Sequence, residues 1–130
     1  MHWQKAIFHV SGYVLDVCYH NGYSTINRHL SGFISPIAER VEKLQYENEN
    51  WEVEIIPEPD EYPVKAGQQI AWSGNTGYSF GPHLHLDVFE TETGDYVDPM
   101  PFFKTKIKDT RAPKADGIMF FPQLGKGVVD

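Results

Sequence analysis

The segment from Gly67 to Phe89 restricts the fold more than any other part of the chain. It has the pattern of a strand, a glycine-rich turn and a second strand, and the second strand carries His83 and His85. Side chains alternate between the two faces of a strand, so an extended His83-Leu84-His85 points both imidazoles to one face. Two imidazoles on one face can hold a metal ion or share a proton. The segment therefore predicts a pair of strands that displays two histidines together.

Much of the remaining chain also carries strand and turn patterns. Tyr13–Tyr19 is rich in β-branched and aromatic residues, and Asn21-Gly22 predicts a tight type I′ turn into a returning strand over Tyr23–Leu30. The pattern over Val64–Ser73 predicts a further strand pair. We therefore predict a mainly β fold built on an antiparallel, curled sheet.

The segment from about residue 33 to residue 62 has a different pattern. Ser35-Pro36 is typical of a helix N-cap followed by proline, and apolar residues recur at helical spacing up to Glu47. Trp51–Ile56 alternates as a strand before a loop rich in proline and acid. We interpret residues 33–62 as an insertion carrying one amphipathic helix. Long insertions are commonly functional, and the alternative is a solvated lid that does not contact substrate.

Composition limits the classes of function. The 130 residues suit about one domain, and the net charge of −7, with dispersed Lys and Arg, argues against nucleic acid as a partner. No apolar run is long enough to span a membrane, and the first residues lack the pattern of an export signal. Cys18 is the only cysteine, which excludes an intramolecular disulfide.

Several motifs in a fixed order resemble the LytM/lysostaphin-type zinc metallopeptidases, peptidase family M23. Asn21-Gly22-Tyr23 followed by His29-Leu30 is similar to an early motif of that family. Gly74-Asn-Thr-Gly77, then Gly81-Pro-His-Leu-His85, then Asp98-Pro99 are similar to its later motifs. The resemblance covers roughly residues 12–100. It implies a zinc endopeptidase that acts on cross-link peptides of peptidoglycan in the cell envelope, either in the periplasm or exported.

The resemblance also implies roles for three histidines. His85 matches a zinc ligand. His83 matches the general base toward the attacking water, and His29 matches the residue that steadies the oxyanion. A catalytic zinc ion normally has three protein ligands and one open position.

One departure from the family pattern concerns the other two ligands, a histidine and an aspartate four residues apart on an early strand. Four residues after His2, His9 and His20 the chain has alanine, tyrosine and serine. We therefore expect the chain as given to be inactive by itself, either as a fragment of the catalytic domain or as a natural short form. The alternative function is a non-catalytic, degenerate relative that binds or regulates cell-wall hydrolases.

We place a partial peptidase domain at residues 1–103. Residues 104–130 would form a linker and the start of a second β domain, with one short strand over Gly117–Pro122. An incomplete β core leaves an exposed strand edge, which favours a homodimer. Asp87, two residues after His85, has two interpretations: an acceptor for a ligand imidazole, or an exposed acid at the end of a strand.

Overall fold

The computed structural model describes the backbone of residues 2–9 and all of residues 12–108 and 110–117. These residues form an antiparallel sheet with two helices. In chain order the elements are β1 (His2–His9), β2 (Gly12–Cys18), β3 (Tyr23–Phe33), α1 (Ile37–Glu47), β4 (Val53–Ile55), β5 (Ala71–Ser73), β6 (His85–Glu90), β7 (Tyr96–Val97) and α2 (Met100–Phe103). The predicted mainly β, antiparallel class is confirmed.

The sheet is organised around β3. Its strand order is β4-β1-β2-β3-β6-β7, and β5 also pairs with β3. One edge of β3 pairs with β2. The other edge pairs first with β6, along residues 23–28, and then with β5, along residues 30–33. Two short strands thus lie end to end against β3, and the chain between them leaves the sheet opposite His29.

The β2–β3 hairpin differs in detail from its prediction. The Tyr19 N–H donates to the Tyr23 carbonyl, and the Gly22 N–H donates to the Tyr19 carbonyl. Gly22 has a φ of 85°, whereas Asn21 does not have a positive φ. A type I′ turn needs positive φ at both residues, so that prediction was wrong. The connection is a three-residue loop that ends in a left-handed glycine.

The strand pair predicted over Val64–Ser73 was also wrong. Only Ala71–Ser73 forms a strand. The Gln68 N–H donates to the Lys65 carbonyl, and Gly67 has a φ of 81°, so the segment before β5 is a turn. The sequence reading also missed β1, which pairs with β2 and β4, and the short helix α2.

The predicted helix is present, and residues of the segment 33–62 that contains it are part of the core, whereas its status as an insertion stays a prediction. Ile37 and Val41 of α1 and Val53 and Ile55 of β4 are buried in one apolar cluster with Leu15, Val17, Leu30, Phe33 and Val64. The interpretation as a solvated lid was therefore wrong. Pro36, not Ser35, occupies the N-cap position, and the Ser35 hydroxyl donates to the Glu39 carboxylate instead of capping the backbone.

The C-terminal part supplies less regular structure. The described residues between 104 and 117 have no helix or strand, and the strand predicted over Gly117–Pro122 lies largely outside the described residues. The domain boundary near residue 103 therefore stays a prediction. So does a homodimer through a sheet edge. Both described helices are too short to cross a bilayer, since α1 has 11 residues and α2 has 4.

Candidate functional site

The fold brings together the three histidines singled out in the sequence. His29, His83 and His85 each offer a ring nitrogen, and these atoms lie within 4.8 Å of one another. Within the described part of the chain this is the one group of three or more side chains suited to hold a metal ion. The ring centroid of His29 lies 4.9 Å from that of His83 and 5.8 Å from that of His85.

Backbone topology explains why the histidines converge. His85 is the first residue of β6 and pairs with Arg28 of β3. His83 forms an isolated bridge with Gly74, just after β5, through a 3.1 Å hydrogen bond from the His83 N–H to the Gly74 carbonyl. His29 follows Arg28 on β3. The histidines therefore surround the gap between β5 and β6.

A β-bulge directs the side chain of His29. Tyr13 pairs with Leu30, whereas Leu15 pairs with Asn27, so β3 has one extra residue at this point. His29 has a φ of 58°, which is uncommon for a residue other than glycine, and it is only 7% exposed. Left-handed backbone costs about 1–2 kcal/mol for an ordinary residue. Bulges that aim one side chain, and strained residues held by their surroundings, are common at functional sites.

Thr76 stabilises this bulge, and sequence reasoning missed its role. Its hydroxyl accepts a hydrogen bond from the Tyr13 N–H at 3.0 Å and donates to the Leu30 carbonyl at 2.5 Å. It thus occupies a place in the ladder between β2 and β3. The Thr76 carbonyl also accepts from Nδ1 of His29 at 2.9 Å. The only sequence signal for this role was the Gly-Asn-Thr-Gly segment, which was assigned to a glycine-rich turn.

Two glycines lie in close contact with other segments of the chain itself, Gly12 with Thr76 and Gly74 with Ser31. A Cβ on Gly12 would lie 2.2 Å from the Thr76 hydroxyl, and a Cβ on Gly74 would lie 2.7 Å from the Ser31 backbone nitrogen. Real Cβ atoms do not come this close to other atoms. Glycine at both positions therefore allows the segment from Gly74 to Gly77 to pack directly on β2 and β3, next to the histidines.

Each imidazole has one nitrogen engaged by an acceptor. Nδ1 of His29 bonds the Thr76 carbonyl, and Nδ1 of His83 bonds the Gly81 carbonyl at 2.8 Å. A carbonyl can only accept, so both Nδ1 atoms carry the proton and both Nε2 atoms keep a lone pair in the neutral ring. Nε2–H of His85 donates a hydrogen bond to a carboxylate oxygen of Asp87 at 3.1 Å. Nδ1 of that ring therefore keeps the lone pair that could bind a metal ion.

The contact between His85 and Asp87 agrees with the first of the two interpretations of Asp87. The same Asp87 oxygen accepts from Nε of Arg28 at 3.3 Å. Arg28 and Asp87 are both partly buried, so the three side chains form a connected row across β3 and β6. A carboxylate that receives the second N–H of an imidazole fixes its tautomer and orientation, as in many metal sites.

This donor set fits a metal ion of the zinc type. Three imidazole nitrogens with free lone pairs are typical zinc ligands, with metal to nitrogen distances of about 2.0–2.1 Å. Two nitrogens that share an ion must lie within about 4.2 Å of each other on this basis. One ring nitrogen of each histidine lies within 4.8 Å of the others, so a shared ion requires these side chains to move slightly closer together.

A mainly β, antiparallel domain with a histidine cluster beside its central strand is the class that the fold and the site define. Sequence comparison specifies its relatives. A stretch of 46 residues is 54% identical to lysostaphin of Staphylococcus staphylolyticus, and the match covers 32% of this chain and 9% of that protein. Glycyl-glycine endopeptidase ALE-1 of Staphylococcus capitis is also 54% identical over 46 residues, covering 32% of this chain and 12% of that protein.

Structural comparison extends this likeness over most of the chain. The antimicrobial peptidase lysostaphin from Staphylococcus simulans matches with a TM-score of 0.50 and 27% identity, over 87% of this chain and 43% of that one. No family model matches the chain. The resemblance to lysostaphin-type peptidases is thereby confirmed, with lysostaphin and ALE-1 as homologues. The chain spans less than half the length of the relatives that it matches.

Proposed function

We propose that this chain forms the histidine-bearing part of a zinc-dependent endopeptidase domain that acts on the cross-link peptides of peptidoglycan at the cell envelope. The observation that carries the proposal is the convergence of His29, His83 and His85, each with one lone pair left available. Homology to lysostaphin and to a glycyl-glycine endopeptidase supports a peptidase and a wall peptide as substrate.

In this proposal His85 would hold zinc through Nδ1, because its Nε2–H donates a hydrogen bond to the Asp87 carboxylate. The three-histidine geometry also allows His29 or His83 to contribute a ligand. A zinc ion, when bound, supplies Lewis acidity that makes a water a better nucleophile near neutral pH. Asp87 and Arg28 orient His85 but do not touch substrate, and we regard both as positioning residues.

His83 and His29 would handle the proton and the developing charge. The Gly81 carbonyl holds the Nδ1 proton of His83, so Nε2 accepts a proton from the water that attacks the peptide carbonyl carbon. The same nitrogen then returns that proton to the leaving amine as the C–N bond breaks. His29 keeps its Nδ1 proton on the Thr76 carbonyl, so it donates to the oxyanion from Nε2 only when its ring carries both protons.

Zinc binding by the full chain tests the metal part of the proposal. We expect saturable zinc binding in competition with a chromogenic chelator, and a loss of affinity of about tenfold or more in His85→Ala, comparable to or greater than losses seen when supporting residues of metal sites are changed. The matched control is His20→Ala, because His20 is exposed in the β2–β3 loop away from the cluster. A wild-type chain that binds no zinc, or equal effects of the two substitutions, would contradict the proposal.

Turnover of cross-linked muropeptides distinguishes the peptidase from the alternative, a non-catalytic module that binds or regulates wall hydrolases. One observation supports that alternative. The candidate metal-binding group among the described residues contains three histidines and no carboxylate ligand. Zinc-dependent cleavage that His83→Ala abolishes supports the peptidase. Because the chain is expected to be inactive by itself, saturable binding of muropeptide with no product supports the alternative only where the chain also binds no zinc.

A further inference from the structure

A groove lies between α1 and the end of β3, outside the histidine cluster. Its volume is about 550 Å³, within the range of small-ligand sites. Ser31, Gly32 and Phe33 form one side of it. The other side is a face of α1 with the three- and four-residue spacing of a helix, formed by Ala38, Val41, Glu42, Gln45 and Tyr46, and Glu49 lies beside it just after the helix ends.

Aromatic rings border this groove. Tyr46 is 77% exposed and Trp51 is 73% exposed, although both belong to an ordered part of the fold. Nε2 of Gln45 donates to the Trp51 carbonyl at 3.0 Å, which ties the segment after α1 back to the helix. The ring of Tyr13 packs edge to face on Phe33, with centroids 5.3 Å apart, at the inner side of the groove. A ligand in the groove would therefore contact aromatic side chains, and hydrogen bonding already holds the backbone at Trp51 against α1.

The polar groups of the groove restrict the charge of its ligand. Glu42, Gln45, Glu49 and Asn50 supply carboxylates and amides, and the lining contains no Lys or Arg. Carboxylates favour partners that donate hydrogen bonds and repel anions, which excludes phosphate-bearing polymers. Amides can both donate and accept. Aromatic faces carry partial negative charge and attract the positive edges of C–H groups.

Sugar rings match this combination. A pyranose ring presents C–H groups on its faces and hydroxyls at its edge, and an N-acetyl group pairs with the side-chain amides of Gln or Asn. We propose that the groove binds a short stretch of uncharged, N-acetylated amino-sugar glycan. The choice of this ligand over other neutral sugars rests on the proposed function, because peptidoglycan carries its peptides on such a glycan.

The position of the groove agrees with a substrate that contains both a glycan and an attached peptide. Ser31 lies two residues after His29 on β3, and Phe33 lies four residues after it. At about 3.3 Å per residue, the groove begins roughly 7 Å along the strand from the histidine and extends to roughly 13 Å. A peptide of a few residues covers that distance when extended. A glycan in the groove therefore delivers its attached peptide to the histidine cluster.

Titration of the full chain with a chitin oligosaccharide, a polymer of N-acetylglucosamine without peptide, tests the proposal. The titration is done with a chelator present and followed by ¹⁵N NMR, so that it depends neither on metal nor on hydrolysis. We expect saturable binding with a Kd of about 1 mM or tighter. We also expect the largest shifts at the amides of Gln45, Trp51 and Gly32, with smaller shifts at His83 and His85.

Trp51→Ala should weaken this binding by about tenfold, since it removes an aromatic contact surface. Tyr96→Ala is the matched control, because Tyr96 is also a largely exposed aromatic residue but lies on β7, outside the groove. Gln45→Ala provides a second, independent variant of the groove. The absence of saturable binding, largest shifts at the histidines, or equal effects of the Trp51 and Tyr96 substitutions would each overturn the proposal. Shifts that depend on protein concentration rather than on sugar would also overturn it, since a second copy would then occupy the groove.

Failure of this test is separate from failure of the peptidase. A chain that binds the oligosaccharide but no zinc retains the glycan groove and loses the metal site. A chain that binds zinc but not the oligosaccharide retains the metal site and loses the groove.

Discussion

Replacing Thr76 by valine tests the organisation of the site most directly. The change keeps the shape of the side chain and the backbone carbonyl that accepts from His29, and it removes the hydroxyl. Two hydrogen bonds are lost, one from the Tyr13 N–H at 3.0 Å and one to the Leu30 carbonyl at 2.5 Å. Leu30 is 2% exposed, so water has little access to replace the second bond.

The expected loss follows from these two bonds. A typical hydrogen bond contributes about 1 kcal/mol, and a buried polar group left without its partner costs about 1–3 kcal/mol. We therefore expect Thr76→Val to lower the free energy of unfolding by about 2–4 kcal/mol. Because the bulge that aims His29 depends on the same hydroxyl, zinc affinity should fall as well, although no atom of the cluster has been changed.

Thr93→Val is the matched control. Thr93 also makes two hydrogen bonds, donating to the Glu90 carboxylate and accepting from the Asp95 N–H, but it is exposed in the turn between β6 and β7. Water can replace both bonds, so its cost should stay within about 0.5 kcal/mol. Urea unfolding followed by circular dichroism gives both values. A loss below about 1 kcal/mol for Thr76→Val, or equal losses for the two variants, would refute this account of the bulge.

Three further comparisons between variants test the backbone and the surface. Gly12→Ala should destabilise the fold by more than about 2 kcal/mol, and Gly94→Ala by about 1 kcal/mol. Gly12 and Gly94 have φ angles of 74° and 75°, but only a Cβ on Gly12 would meet another residue. Similar losses of stability for the two variants in thermal unfolding would contradict a clash at Gly12. His29→Gly should be more stable than His29→Ala by about 1 kcal/mol, because only glycine adopts a φ of 58° without strain. In ordinary strands the order is the reverse. A more stable His29→Ala variant in urea unfolding would rule out backbone strain at this position. A hydrogen bond from the backbone N–H of Glu58 and the nearby Arg40 lower the pKa of Glu61. The ionised Glu61 carboxylate therefore stabilises the fold above about pH 4.5, and this contribution is lost as the pH falls through the lowered pKa. Between about pH 5 and pH 3, Glu61→Gln should lose less stability than the wild type. Parallel profiles of stability against pH would contradict this.

Local patterns along the chain were enough to indicate the class of fold and the histidines of interest. Alternation of apolar and polar residues identified β2, most of β3 and the strand that carries His85, because the two-residue repeat of a strand is a property of the sequence itself. Helical spacing after Ser35 identified α1 in the same way. The order of short motifs indicated the lysostaphin-type resemblance that the comparisons confirm.

Contacts between distant segments had no such local signature. β1 and β5 are recognisable only through the strands beside them, and Asn21-Gly22 formed a longer loop than its two-residue signal predicted. Residues 33–62 were interpreted as an insertion, yet α1 and β4 in this segment complete the core through contacts with the sheet.

The order of the motifs in the sequence was enough to single out His29, His83 and His85 as candidate site residues. Only the tertiary structure decided what each ring does with its two nitrogens. The acceptors of their N–H groups are the Thr76 carbonyl, the Gly81 carbonyl and Asp87. Thr76 is 47 residues from His29, and its hydroxyl takes a place in the ladder between β2 and β3 at the bulge that contains His29. A hydrogen bond across that separation depends on the packing of the whole sheet, and no repeat or spacing in the chain encodes it locally.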